Sequence, residues 1–216
     1  MLGFFLGSLS LMQVWGGFTP PPAGCEAYAK KQQTFQPLPA AEAIKTIEVP
    51  QGFHLQVVAS EPMVQEPASF AFDADGALYV CEWLTYMQDE EARGEMEPMS
   101  RIVKLVDEDG DGVMDKRTVF IDKILLPRTI LPLLDRVLVT LTGDNSVWSY
   151  FDDNKDGLSD RRELSYKGER NGNNIEHQSS GLVWNLDNYI YGNYMRWKYQ
   201  DGSLHAEHYS EERISQ

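Results

Sequence analysis

The chain is poor in cysteine and poor in basic charge. Two cysteines, Cys25 and Cys81, stand among 216 residues, so a disulfide framework is excluded and one bridge at most is available. Lys and Arg number 19 against 33 Asp and Glu, a formal net charge of −14. That balance offers no basic patch to a nucleic-acid backbone or an anionic membrane surface, and neither is expected as the main partner. There is no Cys-x-x-Cys-His run, so no c-type haem attaches to this chain. Gly-x-Gly-x-x-Gly and the phosphate-loop pattern are also missing, which removes nicotinamide and nucleotide-hydrolase readings. What the chain does have is 42% hydrophobic and 11% aromatic residues, enough to bury a core and too much for a disordered polymer.

The first 24 residues carry no charged side chain, and Leu2 to Trp15 is an apolar run of signal-peptide length, short for a bilayer span. Pro20-Pro21-Pro22-Ala23-Gly24-Cys25 follows. Ala-Gly-Cys resembles the end of a bacterial lipoprotein cleavage site, with Pro22 where an aliphatic residue is usual. Residues 1–25 are therefore expected to be a signal peptide or lipoprotein signal, with a possible lipid anchor at Cys25 and an exported, periplasmic or membrane-anchored product. A buried first strand is the alternative, disfavoured by the Gly- and Pro-rich tail.

Residues 26–52 read as a linker holding one short helix between Ala40 and Val49, closed by the turn Pro50-Gln51-Gly52. From residue 53 the pattern changes to short alternating runs, among them Phe53 to Ala59, Ala77 to Glu82, Arg101 to Val106, Arg136 to Leu141, Ser146 to Phe151 and Tyr189 to Tyr194. Asp-Gly turns separate several of them, so the expectation is an all-β chain. The pattern repeats. Arg101 to Gly112 and Ser146 to Gly157 are the same unit, an alternating strand running into an acidic Gly-containing loop, 45 residues apart. That is the length of a four-stranded propeller blade. A second element, Phe70 to Val80, returns at Leu182 to Gly192 and more loosely at Ile130 to Val139. Interleaving the two gives three blades, roughly Ala68 to Lys123, Pro127 to Gly168 and Ser179 to Glu211. Closed propellers usually hold four to eight blades. Residues 53–216 are therefore expected to form the N-terminal half of a six-bladed β-propeller, truncated, with a hydrophobic inter-blade face uncovered.

The repeated loops have ligand chemistry. In the twelve residues from Asp152 to Glu163, Asp152, Asn154, Asp156, the Leu158 carbonyl, Asp160 and Glu163 stand where a calcium loop places its oxygens, and Gly157 supplies the sharp turn. The loop from Asp107 to Thr118 repeats this with Asp107, Asp109, Asp111, the Val113 carbonyl and Asp115. It ends in Thr118, which cannot chelate through two oxygens, so it is expected to bind more weakly. No helix follows either loop, and the expected role is structural. Asx-turns with solvated carboxylates are the alternative.

Of four histidines, His177 has the unusual setting, a polar loop, Asn173-Asn174-Ile175-Glu176-His177-Gln178-Ser179-Ser180-Gly181, ahead of an apolar strand. In a propeller such a loop lies near the channel, and an imidazole beside Glu176 suits proton abstraction from an alcohol. The aromatic residues Trp83, Trp148, Trp184, Tyr191, Tyr194 and Trp197 fit blade core better than a sugar platform. Cys81 is expected to pack as a small apolar residue. The stretch with Asp89, Glu90, Glu91, Glu95 and Glu97 reads as a solvated insertion over the top face, with no chemistry assigned.

Glu176-His177-Gln178-Ser179-Ser180-Gly181 followed by an apolar strand resembles the segment of soluble quinoprotein glucose dehydrogenases that carries their catalytic histidine. A wider set of pieces resembles the large bacterial membrane-bound dehydrogenases of glucose/sorbosone dehydrogenase type: Pro50-Gln-Gly-Phe53, Val58-Ala-Ser-Glu-Pro62, Phe72-Asp-Ala-Asp-Gly76, Asp107 to Gly112, Leu126-Pro127, Leu131-Pro132 and Gly181 to Asn188. The resemblance covers about Ala40 to His208. It implies a six-bladed propeller, a quinone cofactor such as PQQ, a sugar or alcohol substrate, and a cytochrome c domain in longer members. It also implies Glu176 and His177 at the cofactor, with His177 as general base. Glu176 stands where an Asp is usual. The competing expectation is a non-catalytic propeller that binds a carbohydrate or a partner protein.

Overall fold

The computed structural model describes residues 37–168, 175–178, 181–192 and 195–208. The leader, Cys25, Tyr194 and the residues flanking Ile175–Gln178 lie outside them. The chain divides into units 1–39 and 40–216, and every strand and loop described below belongs to the second.

The helix expected between Ala40 and Val49 is one α-helical turn, α1 (Ala40–Ala43), continued by a 3-10 turn at Ile44–Thr46. Twelve strands come after it: β1 (Pro67–Phe72), β2 (Leu78–Glu82), β3 (Ser100–Val106), β4 (Lys116–Ile124), β5 (Pro127–Pro132), β6 (Val137–Leu141), β7 (Asp144–Phe151), β8 (Arg161–Tyr166), β9 (Val183–Trp184), β10 (Tyr189–Tyr191), β11 (Met195–Gln200) and β12 (Ser203–His208). They form three four-stranded antiparallel sheets, β1-β2-β3-β4, β5-β6-β7-β8 and β9-β10-β11-β12. The three interleaved sequence units coincide with these three sheets.

Three segments differ from expectation. Phe53 to Ala59 joins no ladder. It is held to the first sheet's acidic loop by Gln56, whose amide donates to the Asp111 carbonyl at 2.9 Å, and by a bond from Met114 N to the Val58 carbonyl at 2.8 Å. Most of it is exposed, Phe53 and Leu55 included, and only Ala59 packs against the first sheet. β5 begins and ends in proline, so the sequence showed it only as the loose repeat at Ile130; the prolines are tolerated because β5 is an edge strand, where missing N–H groups break no ladder. β11 was concealed by its cations, although Met195, Trp197 and Tyr199 do alternate with Arg196, Lys198 and Gln200.

Period-two alternation explains the packing. In β2, Tyr79 and Cys81 face the second sheet and meet Val137, Val139 and Tyr150 across a core that also holds Ile102, Phe120 and Ile130. Leu78 and Val80 face the other way, with Val103 and Leu105, under a cover of Ala59, Met63 and Val64. In β6, Leu138 points opposite to its neighbours and packs with Val147 against Ile190 and Trp197 of the third sheet. Each sheet thus presents one apolar face to the next, as blades do. Cys81 is fully buried and unbridged, and burial pushes its thiol pKa up, so it packs as a small apolar residue. Phe70 and Phe72 on β1, and Val183 on β9, remain exposed.

Glu82 closes the first sheet's upper end. Its carboxylate is completely buried, accepts from Arg101 and Arg117, and takes the Gln65 backbone N–H at 2.8 Å. A buried carboxylate requires such partners. The effect is to clamp residues 63–65 onto the sheet.

Candidate functional site

The antiparallel order sorts the loops into two ends. Hairpin turns 73–77 and 133–136 and the acidic loops 107–115 and 152–160 lie at one end of the strands. The long loop 83–99, the tight turn at Thr142-Gly143, and the segment 175–178 lie at the other. Contacts between sheets keep these ends in line: Ser159 N bonds the Phe120 carbonyl at the acidic end, and Trp83 Nε1 donates to the Pro127 carbonyl at 2.6 Å at the other.

At the acidic end the two loops are folded alike. Asp107 takes the N–H groups of Gly110 and Gly112 on its two oxygens; Asp152, 45 residues on, takes those of Asp156 and Gly157. Asp115 accepts the Glu108 N–H from the start of its loop, and Asp160 accepts those of Asp153 and Asn154. Gly112 and Gly157 have φ of +87° and +89°, which only glycine adopts without strain. The Gly112 N–H holds the Asp107 carboxyl below its usual pKa. These are Asx-turns. One carboxylate oxygen from each of Asp107, Asp109 and Asp115 lies within 4.8 Å of the others, a spacing that can chelate a metal ion. Asp107 is half-buried and the other two are exposed.

The second loop, which matched the calcium pattern at more positions, forms no such group among the described residues. Asn154 donates from its amide to Asp156 at 3.1 Å and to Asp160 at 3.4 Å, so an amide stands where the first loop has the Asp109 carboxylate. Glu163, the expected chelating residue, lies within β8 and pairs with Arg161. Thr118, at the same position of the first loop, lies likewise within β4. Both twelfth positions thus stand in strands rather than in the loops. Asp111 accepts from Val113 N at 2.8 Å, and Asp156 accepts from Leu158 N at 2.8 Å.

At the opposite end two cavities share Tyr86. One, of about 490 Å³, is lined by Glu66, Pro67, Ala68, Trp83, Tyr86 and Arg128. The other, of about 380 Å³, lies among Tyr86, Met87, Asp89, Glu90, Glu95, Ile175 and Glu176. Both sizes suit a small ligand. The insertion carrying Asp89, Glu90, Glu91, Glu95 and Glu97 is mostly exposed, as expected of a solvated loop, with Glu95 the exception, and it also supplies the shared wall. It is held by its own polar groups. The nearly buried Glu95 accepts from Met87 N at 2.8 Å, its backbone carbonyl accepts from Thr85 Oγ1, and Asp89 caps the turn through the Glu91 and Arg93 N–H groups. Composition alone could not tell these carboxylates from solvated ones.

Glu176 lines the second cavity, and His177, next in the chain, is exposed on the same loop. Gln178 fixes that loop. It is buried, and its side-chain oxygen accepts the Gly143 N–H at 2.6 Å, anchoring the segment to the turn between β6 and β7. The acidic loops are at the far end of the strands, so a metal there would not touch a ligand beside Glu176. Of the aromatic residues, Trp197 is core, Trp148 packs partly buried against the first interface, Trp184 is partly exposed, and Trp83 faces a cavity. His54 and His205 are exposed in other parts of the fold.

These features define an all-β domain of three blade-like antiparallel sheets, with acidic turns at one end and ligand-sized cavities at the other. The chain belongs to the family described as a domain of unknown function (DUF7133), whose model matches residues 39–214. No curated protein matches it. Among the described residues no helix is long and apolar enough to cross a membrane.

Proposed function

We propose that the chain is part of an exported propeller oxidoreductase that acts on a hydroxyl group of a sugar or alcohol, with His177 as general base. The observation that carries this is the placement of Glu176 in a cavity wall with His177 beside it on a loop tied down by Gln178. A fixed loop holds a base in position at low entropic cost, which is what proton abstraction needs. Glu176 would accept a hydrogen bond from a neighbouring ligand hydroxyl and favour the imidazolium that forms.

A quinone of the PQQ kind would supply hydride acceptance. Its carboxylates call for cations, whereas the wall around Glu176 carries Asp89, Glu90 and Glu95 and, among the described residues, no Lys or Arg. The wall therefore fits a polyhydroxylated ligand and does not fit that group. In this proposal the remaining blades, the acceptor site and any cytochrome c domain belong to a longer protein, and Cys25 is its lipidation site.

Calcium is proposed as a structural ion of the Asp107 loop, from the grouped oxygens of Asp107, Asp109 and Asp115. The second reading, a binding propeller without chemistry, is favoured by the same acidic wall, which suits hydroxyl recognition alone.

Dye reduction by the full-length gene product, supplied with PQQ and calcium and offered a panel of sugars and alcohols, separates the two. Turnover that falls at least a hundredfold in His177→Ala supports the oxidoreductase. Sugar binding with no turnover supports the scaffold, and undiminished turnover in His177→Ala removes the assigned base.

A further inference from the structure

The cavity beside Trp83 has a different character from the acidic one. Arg128 is the only cation among the described residues that line it, and that guanidinium is held in place from two sides. Its Nε donates to Thr142 Oγ1 at 3.1 Å, and that hydroxyl in turn donates to the Leu126 carbonyl at 2.9 Å. Its plane lies over the Trp83 ring, 5.3 Å from the centroid. Trp83 is itself pinned, with its indole N–H on the Pro127 carbonyl and its backbone N–H on the Glu66 carbonyl at 3.0 Å. Tyr86 packs edge-on against it at 5.0 Å.

No carboxylate lies within ion-pairing distance of Arg128 among the described residues, and its Nη2 is shut off from solvent with no hydrogen-bond partner. Glu66, the one acid lining the cavity, is exposed and does not pair with it. Elsewhere in the molecule the partly buried cations Arg101, Arg117 and Arg136 all have carboxylate partners. Burial pulls the Arg128 pKa below its ordinary value, in keeping with a cation that has given up water without gaining a counter-charge. With Nε already on Thr142, the guanidinium has its remaining N–H groups to offer; beside aromatic rings this matches an anionic group attached to a ring, the guanidinium taking the anion and the aromatic face taking the apolar side of the ring.

We propose that the cavity formed by Trp83, Tyr86 and Arg128 binds a sugar bearing an anionic group, with Arg128 as the anchor for that group. The aromatic pair contacts the C–H face of the pyranose, and the ring hydroxyls extend past Tyr86 toward the carboxylates of the neighbouring cavity. The inference is separate from the oxidoreductase reading, because it needs no chemistry at His177 and is read by binding alone.

Titration of the full chain with glucuronate, glucose 6-phosphate and glucose, followed by calorimetry and tryptophan fluorescence at low salt, tests it. Binding of glucuronate or of the phosphate at least tenfold tighter than glucose is expected, and which of the two binds tells carboxylate from phosphate. Arg128→Gln should weaken that binding at least tenfold. Thr142→Val keeps the charge but releases the guanidinium, and should weaken it severalfold; it serves if Arg128→Gln does not fold, as judged by its melting curve. The idea is overturned if neither anionic sugar binds, if glucose binds as tightly, or if affinity is unchanged in whichever of these variants folds.

Discussion

The buried side chain of Gln178 accepts the backbone N–H of Gly143 at 2.6 Å, and this bond joins the loop carrying Glu176 and His177 to the turn between β6 and β7. A loop on the way into the third sheet is thereby positioned by the second sheet.

Replacing Gln178 with Ala removes that acceptor and leaves the half-buried Gly143 amide without it. The expected cost is about 1 kcal/mol, the usual net worth of such a bond. Hydrogen exchange at the Gly143 amide should speed up well beyond what the change in urea midpoint accounts for, because the loop opens locally. Equal changes in both would mean that the bond anchors nothing in particular.

Glu82→Ala leaves Arg101 and Arg117 without their shared carboxylate. Breaking a buried ion pair from one side costs about 3–5 kcal/mol. The Gln65 N–H loses its acceptor too, so limited proteolysis should cut first near residues 63–66. A loss under about 1 kcal/mol in denaturant titration would contradict the clamp.

Calcium at millimolar concentration should raise the melting temperature, and Asp107→Asn should abolish most of that rise. Asp152→Asn should leave it nearly intact, since the grouped carboxylates belong to the first loop. No calcium shift in the unaltered protein would dismiss the structural ion, and dependence on Asp152 instead would reverse the ranking of the loops.

Asp135 is held below the ordinary carboxylate range, chiefly by its bond to Arg136 at 2.6 Å, and Arg136 also reaches the Gly202 carbonyl of the third sheet at 3.0 Å. A depressed folded-state pKa contributes stability that is complete above the unfolded value near 3.9 and is lost as pH falls through the folded value. Asp135→Asn should therefore lower stability at pH 6 more than at pH 3, measured as urea midpoints; an equal loss at both would exclude the linkage.

Cys81, with no exposed surface and a thiol pKa raised by burial, should resist thiol reagents in the native protein. In a Cys25→Ser background, labelling should follow global unfolding and show the same denaturant dependence as fluorescence. Rapid labelling under native conditions would mean that the interface between the first two sheets opens locally.

Much of the fold was legible because strands advertise themselves by alternation and this chain repeats its pattern. Tyr79 and Cys81 alternate with Leu78 and Val80, and each set meets a different neighbour. The 45-residue offset between Asp107 and Asp152 survives down to matching hydrogen bonds. Prolines at both ends of β5 and cations in β11 obscured those strands, since edge position and pairing partners are not properties of a short window. Phe53 to Ala59 misled because alternation by itself guarantees neither a ladder nor a buried face: Phe53 and Leu55 remain exposed.

The site divides in the same way. Residue types and order determined by themselves that Glu176 and His177 occupy one polar loop ahead of an apolar strand, and that two acidic turns repeat. Only the tertiary structure decided that the turns lie at the far end of the strands from that loop, and that Glu163 is drawn into β8. It alone brings Trp83, Tyr86 and Arg128 around a cavity next to Glu176. The reason is physical. Local sequence governs turn chemistry and strand period, whereas the stacking of one sheet on the next sets which distant loops share an end, and that depends on contacts between residues far apart in the chain, such as Trp83 with Pro127 and Gly143 with Gln178.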